Sequence, residues 1–515
     1  MTFTFNLTEA PWIPCMDAAG NARELSLLEV LTQAHSLRDL GGESPLVTAA
    51  LYRLLLAILH RVYAGPAGYD DWAAIWEARR FDADLLSSYF ARWYDRFDLF
   101  HPERPFYQAP DDRVKPKSVT ALVHHVASGN NATLFDHHTD QTGLTLTPPE
   151  AARMLLAAQA FGMGGLSGLE QKFTGAPWVG GVIFFMQGKT LFETLVLNLL
   201  RYDEERPMHQ RAEDRPAWEM GDPFSPDRKV PYGYLDYLTW QNRRILFLPE
   251  PAAAGSSSGV IVREMTVAPA LRLESDFLDP QKHYRKDAKL GYLALRFNED
   301  RALWRDSAAL LSLQTADYRP PLVFDWVAEL LDAGVLSKSA QQRILALGMA
   351  NDKAKVEFYR SEQWPLPFAY LEEQSGQMLV ETLQDITKMA DDVSNQLWGA
   401  MRTLAILALF PEVDPQDKTF RAPPEVGSLM AQWDFKRRYW SQLEVHFRRI
   451  LEQVPADRDA ARRAWQKTLR RVAWSAFNGI AKDLARDPRA LKAFVNAQQQ
   501  LAAGLAKVLP DSNLT

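Results

Sequence analysis

The sequence predicts an α+β protein: a large mixed α/β domain over residues 1–370 followed by a four-helix bundle over residues 371–515. Three observations predict it. Before residue 370, short apolar runs are interrupted repeatedly by Gly and Pro, as closely spaced strands and helices require. From Leu371 onward glycine becomes sparse and apolar residues recur at spacings of three and four. The chain has 515 residues, 47% hydrophobic and 24% charged, enough to bury more than one core.

Each element follows in order. Phe3, Phe5 and Leu7 alternate with polar residues, which predicts a half-buried strand. Ser26-Leu27-Leu28-Glu29 opens a helix, because a cap serine and a glutamate three residues on satisfy each other's backbone donors. Pro45 to Tyr63 reads as an apolar, buried helix. Tyr69 to Phe97 carries Trp72, Trp76, Phe90, Trp93 and Tyr94 at near-helical spacing, which marks a packing face. A second apolar helix, Pro149 to Phe161, enters the glycine run Gly162-Met163-Gly164-Gly165-Leu166-Ser167-Gly168. An apolar strand, Val179 to Met186, and a helix from Thr190 follow. Residues 202–258 read as loops, with a linker-like stretch from Pro251 to Gly259. Val260 to Leu295 reads as strands joined by a basic loop, Lys282 to Lys289. Val323 to Asp332 and Ser339 to Leu347 are predicted helical, and Phe368 to Tyr370 ends the mixed part. The bundle helices are expected at about 371–410, 425–454, 457–486 and 488–508, separated by Pro411, Pro415, Pro423, Pro424, Pro455 and Asp487-Pro488.

A formal net charge of −6 argues against a free-standing, non-specific nucleic-acid binder. The charge is uneven. Asp434 to Lys492 holds fifteen Lys and Arg against seven Asp and Glu, a balance of +8 that leaves −14 elsewhere. A basic end on an acidic body suits a protein that touches a polyanion with one part; solvated helix faces explain the same pattern. The single cysteine, Cys15, excludes an internal disulfide and reads as a small buried residue. The chain shows no signal-peptide pattern and no apolar run approaching the ~18 residues of a membrane span, so the expectation is a cytoplasmic protein with no membrane partner.

Three motifs could carry chemistry. Gly188-Lys189-Thr190 sits between a strand and a helix, the context of a phosphate-binding loop, but the motif needs glycine at 183 and this chain has Ile183. Asp136, His137, His138 and Asp140, with His124 and His125 nearby, are a dense set of metal-ligand types. Adjacent histidines seldom face one ion, so no metal site or cofactor is expected. Gly162, Gly164 and Gly165 miss the dinucleotide fingerprint, because Ser167 takes its last position. A glycine run this dense either makes a tight helix-to-sheet turn or lets backbone approach a phosphate or groove closely.

The polar loop Asn130-Asn131-Ala132-Thr133-Leu134-Phe135-Asp136-His137-His138 and the glycine run together resemble one family. It is the large subunit of the type I-E CRISPR Cascade surveillance complex, CasA. The opening Phe5-Asn6-Leu7, the segment Pro11-Trp12-Ile13-Pro14 and the chain length fit the same family, over nearly the whole chain. The resemblance implies a non-enzymatic subunit that recognises the protospacer-adjacent motif (PAM) in double-stranded target DNA. It also implies help in opening the duplex for CRISPR RNA, contact with other Cascade subunits and docking of a helicase–nuclease.

By position, Phe135, Asp136 and His137 look like the loop that meets the complex's backbone subunit and reaches toward the PAM. Gly162, Met163, Gly164 and Gly165 look like the loop that approaches the minor groove, where a Cβ finds no room. Lys289, or else Lys286 or Lys282, resembles the lysine placed in that groove. Asn351-Asp352-Lys353-Ala354 falls where the family carries a wedge beneath the PAM. One cysteine excludes the four-cysteine zinc site of some members. The basic residues Lys436, Arg437, Arg438, Arg448, Arg449, Arg462, Arg463, Arg470 and Arg471 then form a bundle face expected to touch DNA phosphates. Two other readings stay open: a nucleotide hydrolase centred on Gly188-Lys189-Thr190, and a purely structural adaptor.

Overall fold

The computed structural model describes residues 3–123, 144–202, 211–253, 259–274, 277–311, 317–337, 341–352, 355–372, 376–415, 420–484 and 488–509. The protein is α+β, with a helical C-terminal region. It divides into two compact units. The mixed unit comprises Met1–Glu299, Leu313–Ser337 and Gln342–Trp364; the helical unit comprises Asp300–Ser312, Lys338–Gln341 and Pro365–Thr515.

The described residues of the mixed unit build four three-stranded sheets. The one that follows the glycine segment runs in the order Lys355–Pro367, Gln341–Asp352, Val182–Gln187. Val182–Gln187 is buried at every position, which its unbroken apolar sequence requires of a strand covered on both faces. Its partner Gln341–Asp352 runs antiparallel, with Arg343 opposite Gln187 and Gly348 opposite Val182. This pairing corrects the helix expected over 339–347. Ala, Leu, Met and Gln favour a helix locally, but a buried neighbouring strand with unpaired backbone groups outweighs a preference of tenths of a kcal/mol per residue.

Other expectations need adjustment. The capping box forms as expected: Ser26 caps Leu27–Thr32, with Glu29 returning the bond. Pro45–Val62 is a core helix, long and apolar enough to span a membrane by composition, yet 78% of it is buried inside the protein. It packs on the buried helix Pro148–Phe161. Phe3 to Leu7 is not a strand; this segment makes only an isolated bridge, Asn6 to Asp98. Residues 202–258 contain a helix, Tyr234–Leu238, and a nine-residue strand, Arg243–Pro251, that the charged sequence concealed. The basic loop is itself a hairpin, Tyr284–Asp287 against Gly291–Ala294.

The helical unit holds four long helices: Gly376–Leu409, Phe435–Gln453, Arg458–Leu484 and Pro488–Val508. Phe435–Gln453 buries Phe435, Tyr439, Leu443, Phe447, Ile450 and Leu451, the stripe its sequence spacing demands. The helix expected over 425–454 is two helices, because Pro424–Trp433 ends at Asp434 with φ 47°. A left-handed residue cannot continue a right-handed helix, and aspartate tolerates that conformation better than most residues.

Candidate nucleic-acid interface

The glycine segment is a closed clasp. At its base, Ala176 N–H donates to Gly162 O at 2.8 Å and Trp178 N–H donates to Ala160 O at 2.9 Å. Halfway up, Gly165 and Phe173 exchange two backbone hydrogen bonds of 3.0 Å. At the tip, Ser167 Oγ donates to Gln171 O at 2.5 Å and accepts from Leu169 N–H at 3.0 Å.

Two buried cations hold the clasp from beneath. Arg243 Nη2 donates to Met163 O at 2.6 Å and lies 3.5 Å from Thr174 O. Lys282 Nζ donates to Pro177 O at 2.7 Å and lies 3.4 Å from Val179 O. Burial pushes the Arg243 guanidinium down to about 10 and lowers Lys282 as well. Among the described residues, no carboxylate pairs with Arg243. Arg243 stays cationic at neutral pH, so the clasp sits on positive charge. Lys282 is therefore corrected from a candidate groove reader to an anchor; it is 6% exposed and cannot leave without breaking these bonds.

The four residues Gly162 to Gly165 are not equivalent. A Cβ on Gly162 would lie 2.2 Å from the Arg243 guanidinium carbon, so the buried arginine demands glycine there. A Cβ on Gly164 would lie 3.3 Å from Phe173 O, so the clasp's own return limb crowds it. Met163 gives its carbonyl to Arg243. At Gly165 a Cβ would meet nothing within 4 Å among the described residues, and φ is not left-handed. Gly165 is exposed, and its N–H and C=O are engaged with Phe173. The position offers clearance for a close approach, while its own backbone donor and acceptor are already used within the clasp.

The structure brings three of the expected elements to one end of one strand. The glycine segment leads directly into Val182. The lysine hairpin is tied there at both its limbs: Val182 N–H donates to Leu295 O and Phe184 N–H donates to Gln281 O, each at 2.9 Å, with Ile183 bridging Lys282. On the other edge, Gly348 pairs with Val182 four residues before Asp352. A Cβ on Gly348 would lie 3.0 Å from Gly181 O, and one on Gly181 would lie 2.8 Å from Lys282 Cδ. Glycine at both positions permits this close approach.

Lys286 and Lys289 are exposed on the hairpin, Lys289 within the turn that follows Asp287. Asn351 and Asp352 end the strand Gln341–Asp352; Lys353 and Ala354 lie outside the described residues, as do Phe135, Asp136, His137 and the histidine cluster around them.

Gly188-Lys189-Thr190 is a helix cap. Thr190 Oγ1 accepts from Glu193 N–H at 3.2 Å, and Glu193 Oε2 accepts from Lys189 N–H at 2.7 Å. The glutamate carboxylate occupies the place a phosphate would need, and would repel one. Cys15 is buried and its thiol is pushed up to about 12, far from a reactive thiolate.

In the helical unit the nine predicted cations do not form one face. Lys436, Arg437 and Arg438 are consecutive and exposed, so they splay about 100° apart. Arg470 donates to Leu509 O at 2.7 Å and is half-buried, and Arg448 pairs with Glu444 at 2.7 Å. Arg462 lies 3.8 Å from Asp385. Arg471 Nη2 lies 2.7 Å from His446 Nε2, joining Phe435–Gln453 to Arg458–Leu484. Partial burial, then Arg471 and Arg449, lower the His446 imidazole below its ordinary range. Among the described residues, no carboxylate pairs with Lys436, Arg437, Arg449 or Arg463, all exposed.

These features define a class: large α+β proteins that carry surface loops on a mixed unit and exposed arginines on a helical one. Known proteins narrow it. The pattern of the family described as CRISPR-associated protein Cse1 matches residues 6–476. CRISPR-associated protein CasA/Cse1 of Thermus thermophilus is 34% identical over 521 aligned positions, covering 98% of each chain. A solved structure of Thermus thermophilus CasA (Cse1) has 30% identity and a TM-score of 0.78, covering 98% of this chain and 99% of that one. The crystal structure of Thermobifida fusca Cse1 has 26% identity and a TM-score of 0.82, covering 98% of each chain. The chain belongs to the CRISPR-associated Cse1 family.

Proposed function

We propose that this chain is the large subunit of an RNA-guided CRISPR surveillance complex and reads the PAM of target DNA through the minor groove. The observation that carries this reading is Gly165. Its neighbours Gly162 and Gly164 are explained by the protein's own packing, but none of the described residues crowds position 165. A side chain is missing there on the outward side, which suits a surface that must pass close to something else. The buried cations Arg243 and Lys282 lie on the clasp's inner side, giving it a field that favours a polyanion.

On this reading Lys289 enters the same groove, and the segment Asn351-Asp352-Lys353-Ala354 wedges the duplex apart for pairing with CRISPR RNA. Lys436, Arg437, Arg438, Arg449, Arg463 and Arg471 hold DNA phosphates without reading sequence. Docking of the helicase–nuclease and contacts with other Cascade subunits complete the role. The hydrolase alternative loses its support, because Glu193 fills the phosphate position.

The experiment is target binding by the reconstituted complex, with and without this chain, on guide-matched duplexes bearing a permissive or a scrambled PAM. Discrimination should require the chain and vanish with Gly165→Asp, which adds bulk and negative charge without touching the fold. Discrimination that survives Gly165→Asp unchanged sinks the reading.

A further inference from the structure

The two most exposed large apolar side chains among the described residues are Leu166, 85% accessible, and Leu290, 73%. Each stands immediately after a residue the reading above places in the groove: Leu166 after Gly165, Leu290 after Lys289. Both are held outward by structured turns. Leu166 lies between the Gly165–Phe173 bridge and the Ser167 hydrogen bonds, with Gly168 at φ +80° completing the turn. Leu290 lies in a turn whose Asp287 carboxylate accepts from Lys289 N–H at 2.8 Å and Leu290 N–H at 2.9 Å, with Gly291 at φ +77° next. A leucine so fixed in water gains nothing for folding, since its burial is worth most when it leaves solvent.

The surroundings select the partner. Arg285, Lys286 and Lys289 are exposed on the same hairpin as Leu290, and Arg243 and Lys282 lie beneath the clasp that carries Leu166. Apolar tips set among cations match a surface that is anionic at its rim and apolar within. The minor groove offers phosphates at its edges and apolar deoxyribose walls inside, above a floor of base-edge acceptors. Its only distinguishing donor is the guanine amino group.

We propose that Leu166 and Leu290 are specificity-determining contacts that pack into the minor groove of the PAM duplex. Leu166 favours an amino-free A·T edge over a G·C pair. This rests on the minor-groove reading above and adds its chemistry. An apolar side chain against a guanine amino group leaves that donor without a partner, which disfavours G·C at that step.

The test uses the reconstituted complex carrying this chain, on PAM duplexes with two base analogues. Hypoxanthine in place of guanine removes the groove amino group; 2,6-diaminopurine in place of adenine adds one. The unaltered complex should bind about tenfold more weakly when diaminopurine meets Leu166. Leu166→Ala should weaken binding to the natural duplex about tenfold and abolish that response, and Leu290→Ala should weaken binding by a similar factor. Both side chains are exposed, so neither variant should change the unfolding transition. If both variants match the unaltered complex on every duplex while Gly165→Asp destroys discrimination, the leucines have no groove role and the proposal fails alone. If Gly165→Asp is also silent, the minor-groove reading fails with it. Loss of the variant chains from the assembled complex, with an unchanged analogue response, would mean the leucines face a protein partner and would overturn the proposal.

Discussion

In the mixed unit, Arg53, Arg243 and Lys282 lie buried; in the helical unit, Lys436, Arg437, Arg449 and Arg463 project into solvent. The buried three share a habit. Each donates to backbone carbonyls: Arg53 to Tyr237 and Leu238, Arg243 to Met163, Lys282 to Pro177. Arg53 is also sandwiched between the rings of Trp178 and Tyr237, each 4.7 Å away. The exposed set has no such commitments. The contrast teaches that a cation's location decides what it can contribute. Inside, it fixes the path of a loop whose shape can be specific. Outside, it offers charge that any phosphate can use, and salt screens that attraction.

Neutralising one cation from each set tests the contrast most strongly. Arg243→Met should cost about 4 kcal/mol of stability, because Met163 O and Asn242 Oδ1 lose a charged partner in a buried site. Arg463→Gln should change stability by less than about 0.5 kcal/mol and make the salt dependence of DNA binding shallower by about 0.9 in log–log slope. Thermal unfolding and binding titrations at several salt concentrations read the two effects. Equal stability losses would break the comparison.

The histidines sharpen it. His60 is fully buried, Nε2 donating to Leu200 O at 2.7 Å, and burial pushes its imidazole down to about 4. Its folded value lies below the ordinary 6.5, so the unfolded chain binds the proton first. The contribution is complete above pH 6.5 and is lost as pH falls toward 4, about 3 kcal/mol in all. Denaturant unfolding between pH 7 and pH 4 should show this loss, and His60→Leu should flatten it. His446 is also lowered, but near the surface of the helical unit, so His446→Gln should leave the acid profile in place.

The finest comparison lies within the glycine clasp. Gly162→Ala should destabilise the protein by about 2 kcal/mol through overpacking against Arg243. Gly165→Ala should stay within about 0.5 kcal/mol, since its methyl meets open space. Calorimetry on both variants measures the difference.

Much of this was legible where local chemistry decides. The Ser26–Glu29 box, the apolar helix Pro45–Val62 and the strand after the glycine run are set by residues within a turn or two of one another. The strand Gln341–Asp352 was not legible, because its partner lies more than 150 residues earlier and its composition favours a helix. Lys282 read as a third candidate for the groove lysine within a basic run; only the tertiary fold closes Pro177 and Val179 over it. Arg243 had no local signal at all, sitting in a polar stretch beside Arg244. The glycines stood out by density, but their separate duties depend on an arginine eighty residues away. The break at Asp434 was hidden because no Pro or Gly marks it.

The pairing of Gly348 with Val182 also acts as a ruler. Beyond it, the strand continues for four residues to Asp352, a reach of about 13 Å at 3.3 Å per residue. That equals about four steps of a duplex rising 3.4 Å each. On the proposed reading, the length of this strand, measured from the place where the glycine segment joins the sheet, would set how many base pairs separate the point of reading from the point of parting.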